Sequence, residues 1–212
     1  MTSSSAPFGV VVPVKPPAVA KSRLGGLGDD VRRALASAFA ADTVEAALAS
    51  ERVACVLVVT DDHLLARELV GSGVEVIPDG AADDLNASLG QAAAELLRRH
   101  PGLRIAALCA DLPGLRPAEL TRVLDAASSE AMAFVPDADG AGTTVVTAPD
   151  LETFRPRFGH RSRAAHLDSG AHEIDIDDIG SVRRDVDTPA DLAEVLRLGI
   201  GPRTSRVTAG LF

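Results

Sequence analysis

The chain has 212 residues, 46% hydrophobic and 24% charged, which suits one generous α/β domain and argues against global disorder. A net charge of −9, with neither Trp nor Tyr, removes the clustered cations and the best stacking side chains that a nucleic-acid or anionic membrane partner would need. No apolar stretch approaches the roughly 18 residues of a membrane span, and residues 1–7 lack the basic patch and apolar core of a signal peptide, so a cytoplasmic setting is expected.

The first element is a β-branched run over residues 10–15, ended by Pro16-Pro17 in a loop that runs to Gly25. The chain's only two lysines, Lys15 and Lys21, lie here with Arg23. Three cations in nine positions suit a phosphate cradle, and a solvated loop is the competing reading. Val31, Leu35, Phe39, Val44 and Leu48 then predict an amphipathic helix over 30–50. Residues 53–60 are almost continuously apolar, as in a strand buried on both faces of a parallel sheet. Asp61-Asp62 caps a helix to about Val70, a short strand follows over 74–77, and a long Ala/Leu helix over 83–100. A buried strand over 105–110 and a helix over 117–127 complete a βα alternation. That alternation predicts a Rossmann-like, mostly parallel central sheet flanked by helices, with ligands beyond the strand C-termini.

The second half changes style. Residues 133–136 and 143–147 flank the turn-rich Asp137-Ala138-Asp139-Gly140-Ala141-Gly142 and predict an antiparallel hairpin. A short helix over 161–167, a polar-alternating strand over 173–176 and a last helix over 188–198 follow. The domain is expected to span residues 1–200, with 201–212 a patternless, mobile tail. Cys55 and Cys109 sit inside apolar runs and read as reduced core residues. The five histidines show no metal-ligand spacing and read mostly as surface positions, with His160 alone near a candidate site.

The glycines of a phosphate-binding P-loop are missing ahead of Lys21-Ser22, and there is no G-x-G-x-x-G, G-x-S-x-G or H-E-x-x-H. Asp111 follows a buried strand and is turned out by Leu112-Pro113. It suits a hard cation shared with substrate phosphates, or equally an ordinary turn carboxylate. Asp185 and Asp187 form a second pair just before a helix, where a helix cap is the alternative. Asp137 to Gly140 lacks the remaining ligands of a calcium loop and reads as a turn. Gly159-His160-Arg161-Ser162 opens a helix and offers free N–H groups to an anion, or is an ordinary helix start.

Six motifs in order carry a resemblance. They are Pro13-Val14-Lys15 with Lys21-Ser22-Arg23-Leu24, Asp83-Asp84-Leu85-Asn86-Ala87-Ser88-Leu89, Ala110-Asp111-Leu112-Pro113, Gly142-Thr143-Thr144, Phe158-Gly159-His160-Arg161-Ser162 and Asp185-Val186-Asp187-Thr188-Pro189. From about Val10 to Leu198 the chain resembles the phosphoenolpyruvate or 2-phospho-L-lactate guanylyltransferases of coenzyme F420 biosynthesis, within the nucleotidyltransferase superfamily. It lacks the glycine-rich first loop of that superfamily's molybdenum-cofactor branch. The resemblance implies transfer of GMP from GTP to a three-carbon phosphate, with Mg²⁺ on Asp111 and Asp187 and Asp185 as a weaker ligand. It implies Lys15, Lys21 and Arg23 on the GTP phosphates, Lys21 being counted with the two aspartates as catalytic, and Asn86 on the nucleoside. Thr144, Gly159 and Ser162 would bind the acceptor, with Thr143 the register alternative to Thr144. The Lys-poor, Arg- and Ala-rich composition suggests a GC-rich genome, which fits the actinobacterial members of the family, and for those the resemblance implies phosphoenolpyruvate as acceptor; 2-phospho-L-lactate is the alternative, and a noncatalytic nucleotide-binding protein the more distant one.

Overall fold

A computed structural model describes residues 6–15, 24, 27–70, 73–81 and 84–210. Lys21, Arg23 and Asp83 lie outside the described residues.

The first half builds the parallel core. β1 (Phe8–Pro13), β2 (Val53–Val59), β3 (Glu75–Ile77) and β4 (Arg104–Leu108) run parallel. They alternate with α1 (Asp29–Leu48), α2 (His63–Val70), α3 (Leu85–Arg99) and α4 (Pro117–Ala126). β5 (Ala133–Pro136) and β6 (Thr143–Ala148) form the expected antiparallel pair, and β7 (His172–Glu173) closes a seven-stranded sheet of order β3-β2-β1-β4-β6-β5-β7. β6 is the one strand that runs against β4 and β5, so the sheet is mostly parallel.

Both faces are covered, which is why the strands read as unbroken apolar runs. Val10, Val12, Val56, Val58, Ala106 and Leu108 point to one core with α1, α2 and α4. Their neighbours Val11, Leu57, Val59, Ile105 and Ala107 point to the other, under Leu89, Ala92, Ala93 and Leu96 of α3. Gly9 lets α3 approach closely, because a Cβ there would fall 2.5 Å from Leu96 Cδ2. Asp62 caps α2 as expected, its Oδ1 accepting from Leu64 N at 2.9 Å and Leu65 N at 3.0 Å.

Three expectations change. The strand over 173–176 is reduced to His172–Glu173, because beyond Ile174, whose N–H still reaches Phe134 O, the chain leaves the sheet and Ile176 is exposed. A four-residue helix, α6 (Gly180–Arg183), follows α5 (Ser162–Asp168) and precedes α7 (Pro189–Leu198). The segment after residue 200 is an eighth helix, α8 (Pro202–Thr208), docked on α1.

Asp42 causes that docking. It lies in the middle of α1, where residues 38–44 are all buried, and its two oxygens accept from Arg203 N at 3.0 Å and Thr204 N at 2.7 Å. A carboxylate at a helix N-terminus satisfies orphan N–H groups and meets the positive end of the dipole. Gly201 makes room for it, since a Cβ there would lie 2.2 Å from Asp42 Cγ, and Arg203 adds an ion pair to Glu45 at 2.7 Å. Asp42→Ala should cost about 2 kcal/mol in urea unfolding and abolish amide-exchange protection in α8 before the rest of the fold. Unchanged protection would contradict the docking.

Candidate active site

The site forms where β1 and β4 end side by side. Asp111 lies three residues past β4 and is fixed from two directions. Thr43, on the sheet-facing turn of α1, accepts from Leu112 N at 3.1 Å, and its hydroxyl lies 3.2 Å from Ala110 O and 2.8 Å from Phe39 O. Val186 N donates to Asp111 O at 3.0 Å, which pins the 184–187 segment alongside. Val186 is itself fully buried with Leu24, Leu35 and Phe39. In extended chain its two neighbours must then point the other way, and Asp185 and Asp187 face Asp111.

One carboxylate oxygen from each of Asp111, Asp185 and Asp187 lies within 4.8 Å of the other two. Burial, then the charges of Asp111 and Asp187, and lastly Asp137, push the Asp185 carboxyl up to about 7. Asp191 supports the arrangement through a capping box: Thr188 Oγ1 accepts from Asp191 N, while Asp191 Oδ2 accepts from Thr188 N at 2.8 Å and Asp187 N at 3.2 Å. A set of carboxylate oxygens alone suits a hard divalent cation such as Mg²⁺ or Mn²⁺.

Asp185, Asp187 and Asp191 line a cavity of about 490 Å³. Arg184, Thr143, Gly159, His160, Arg161 and Ser162 line it too, and Asp137 and Asp139 add two more acids. Gly159 has φ +131°, a conformation side chains resist, and Arg161 is left-handed at φ 57° just before α5. Asn86 and His166 hold this turn. Asn86 Oδ1 accepts from Phe158 N at 2.8 Å and its Nδ2 donates to Phe158 O at 3.0 Å. His166 Nε2 accepts from Arg157 N at 2.9 Å, which leaves the proton on Nδ1 to donate to Thr143 Oγ1 at 3.0 Å. Burial lowers its pKa to about 4, so the ring is neutral at pH 7. Contrary to the surface reading of the histidines, His166 is fully buried, stacked on Phe134 at 5.2 Å.

The two threonines divide. A register shift between Val135 and Pro136 makes Thr144 the extra residue of a β-bulge, and Thr143 turns into the cavity with its hydroxyl committed to His166. Thr144 is fully buried behind the lining, and its hydroxyl has no partner among the described residues. Asp137 to Gly142 is a turn as expected, with Asp137 accepting from Ala141 N at 2.9 Å and Gly142 N at 2.8 Å.

Comparison with known proteins fits this arrangement. The family described as "Guanylyl transferase CofC like" matches residues 8–207. The chain belongs to this family. Phosphoenolpyruvate guanylyltransferase of Streptomyces coelicolor is 52% identical over 203 residues, covering 95% of this chain and 96% of that protein. Among solved structures, a putative nucleotide-diphospho-sugar transferase from Desulfovibrio desulfuricans has a TM-score of 0.68 at 18% identity, covering 91% of this chain and 87% of that one. The Rv0371c protein of Mycobacterium tuberculosis, solved with manganese, has a TM-score of 0.56 at 22% identity, covering 91% and 98%. These likenesses establish the fold.

Within this CofC-family chain the structure joins Asp111, Asp185 and Asp187 in one cluster and brings Gly159 and Ser162 to the same cavity as Asp185 and Asp187. Asn86, expected on the nucleoside, spends one donor and one acceptor on the Phe158 backbone. Lys15 is exposed just past β1 at the strand ends that carry Asp111, outside the cavity lining. Cys55 and Cys109 form no disulfide and are half-buried instead of fully in the core, and Cys109 Sγ donates to Thr143 O at 3.4 Å. Sequence reading missed Thr43, Arg184 and His166. Only the presence of a polar residue in an otherwise buried stretch of α1 could have pointed to Thr43.

The raised carboxyl of Asp185 has a stability consequence. A folded-state pKa above the unfolded value of 3.8 means that the native state binds the proton more tightly, so stability is lost as pH rises from about 4 through about 7. Asp185→Asn should therefore stabilise the metal-free protein by on the order of 1–2 kcal/mol at pH 8, after allowance for solvent screening, and by little at pH 5. Equal gains at both pH values in urea melts would refute the like-charge account.

Proposed function

We propose that the chain transfers GMP from GTP to phosphoenolpyruvate, forming enolpyruvoyl-2-diphospho-5'-guanosine and releasing pyrophosphate, in the cytoplasm and in the making of coenzyme F420. The observation that carries this reading is that Asp185 and Asp187 of the acidic cluster line the same cavity as the turn built around Gly159 and the start of α5. The 52% identity to a phosphoenolpyruvate guanylyltransferase supports phosphoenolpyruvate over 2-phospho-L-lactate as acceptor.

The acceptor phosphate, with its second pKa near 6, is largely ionised at pH 7 and needs no general base. One of its oxygens attacks the α-phosphorus of GTP as the bond to the β-phosphate oxygen breaks. The difficulty is to bring two anions together, and the residues are apportioned accordingly. Gly159 and Ser162 hold the phosphate and carboxylate of the acceptor together with Thr143, the register alternative that lines the cavity where Thr144 is buried behind it, and Arg161 and Arg184 supply positive charge at the lining. Lys15, Lys21 and Arg23 meet the GTP phosphates, and Asn86 adds a nucleoside contact to its hold on Phe158.

The converging carboxylates fit Mg²⁺, with Asp111 and Asp187 as principal ligands and Asp185 as a further one. When bound, the ion would offset charge on the α-phosphate and the departing pyrophosphate.

Incubation with GTP, Mg²⁺ and phosphoenolpyruvate should release pyrophosphate and give the guanylylated product by mass spectrometry, with trapping by the next enzyme if the product is labile. Turnover with 2-phospho-L-lactate alone would reassign the acceptor, and no pyrophosphate with either would leave a nucleotide-binding protein. Asp111→Asn should lower kcat by roughly 10²-fold or more with the melting curve preserved. Near-normal kcat would remove Asp111 from the metal site.

A further inference from the structure

A second set of ligand-type side chains lies at the far end of the sheet. Cys55 sits near the start of β2, Glu75 is the first residue of β3, and His100 directly follows α3. Asp111, in contrast, lies past the C-terminal end of β4, so the parallel sheet separates the two clusters. Cys55 and Leu57 share the face of β2 that α3 covers, and Glu75 pairs in register with Leu57. The C-terminus of α3 brings His100 down onto the same corner.

One donor atom from each of Cys55, Glu75 and His100 lies within 4.8 Å of the other two. His100 Nε2 already meets Glu75 Oε1 at 2.5 Å. The other carboxylate oxygen of Glu75 accepts from Arg99 Nη1 at 2.8 Å, and Arg99 is in turn held by Glu95 at 2.7 Å. The carboxylate is thus oriented by a second layer of charge-assisted bonds, as metal-binding carboxylates are. All three ligand residues are half-buried, which gives an ion a route in and leaves space for water as a fourth ligand.

We propose that Cys55, Glu75 and His100 form a site for a borderline divalent transition ion of the zinc class, distinct from the acidic cluster. Sulfur, imidazole nitrogen and one carboxylate oxygen select against Mg²⁺, which demands six oxygens, while Asp111, Asp185 and Asp187 offer oxygen alone. Ligand pairs around a tetrahedral zinc stand about 3.4 Å apart given bond lengths of about 2.0–2.3 Å. Donor atoms within 4.8 Å of one another therefore need to shift by at most about 1.4 Å in separation. One thiolate and one carboxylate balance the two charges of the ion. Burial, and then the Glu75 charge, push the Cys55 thiol up to about 11, so ion binding displaces a proton. The ion would fasten β3, a three-residue edge strand, to both β2 and the end of α3.

The test is a Co²⁺ titration of the full chain at pH 8 under a large excess of Mg²⁺, read by absorption. The expected result is one equivalent with visible tetrahedral bands and a near-ultraviolet thiolate-to-cobalt band. Cys55→Ser should lose the thiolate band, Cys109→Ser should keep it, and His100→Asn should weaken binding at least tenfold. Circular dichroism and the melting curve of each variant check that it folds, and Cys55→Ala stands in if Cys55→Ser does not. Absence of a thiolate band in the parent protein, or a band that survives Cys55→Ser and disappears in Cys109→Ser, would overturn the proposal.

Discussion

Three carboxylates with an oxygen of each within 4.8 Å of the others repel, and contacts from both halves of the chain hold them there. The decisive contact is the Val186 N–H to the Asp111 carbonyl, made while the Val186 side chain is sealed among Leu24, Leu35 and Phe39. One buried valine between two aspartates converts the energy of apolar burial into an unfavourable concentration of charge. That stored repulsion is a penalty that a divalent cation, if bound there as proposed, would relieve.

Elsewhere on the cavity lining the structure solves a different problem, that of holding backbone in conformations it would not choose. The turn through Gly159 and Arg161 carries positive φ at two of three residues. It is anchored by Asn86 on Phe158 and by neutral His166 on Arg157, each bond drawn from a side chain on a helix. A neutral imidazole is suited to this place, because a charged one would lose the acceptor nitrogen that Arg157 N–H requires. The result is a turn held in one conformation on the same cavity as Asp185 and Asp187.

Much of this could be read from residue order. The parallel core was legible because β2 and β4 are apolar on both faces, and Asp111 because it stands directly after such a run. The pairing of Asp185 with Asp187 was visible as spacing, although only the burial of Val186 shows that they face the same way. What escaped is what depends on long-range polar contact. α8 has no apolar period; its buried residues are Thr204 and Thr208, and its start is capped by Asp42 from 160 or so positions earlier. His166 and Thr43 are polar residues whose partners come from other elements, so no local pattern marks them. The alternating residues 173–176 suggested a strand, but alternation alone does not supply a neighbouring edge, and Ile176 finds none.

The account turns on whether the acidic cluster is where the divalent cation and the nucleotide phosphates meet. Crystals grown with Mn²⁺ and a nonhydrolysable GTP analogue answer this by anomalous scattering. A manganese peak about 2.2 Å from carboxylate oxygens of Asp111 and Asp187, bridging to the triphosphate, is the predicted result. A triphosphate bound with its metal away from both aspartates would contradict it.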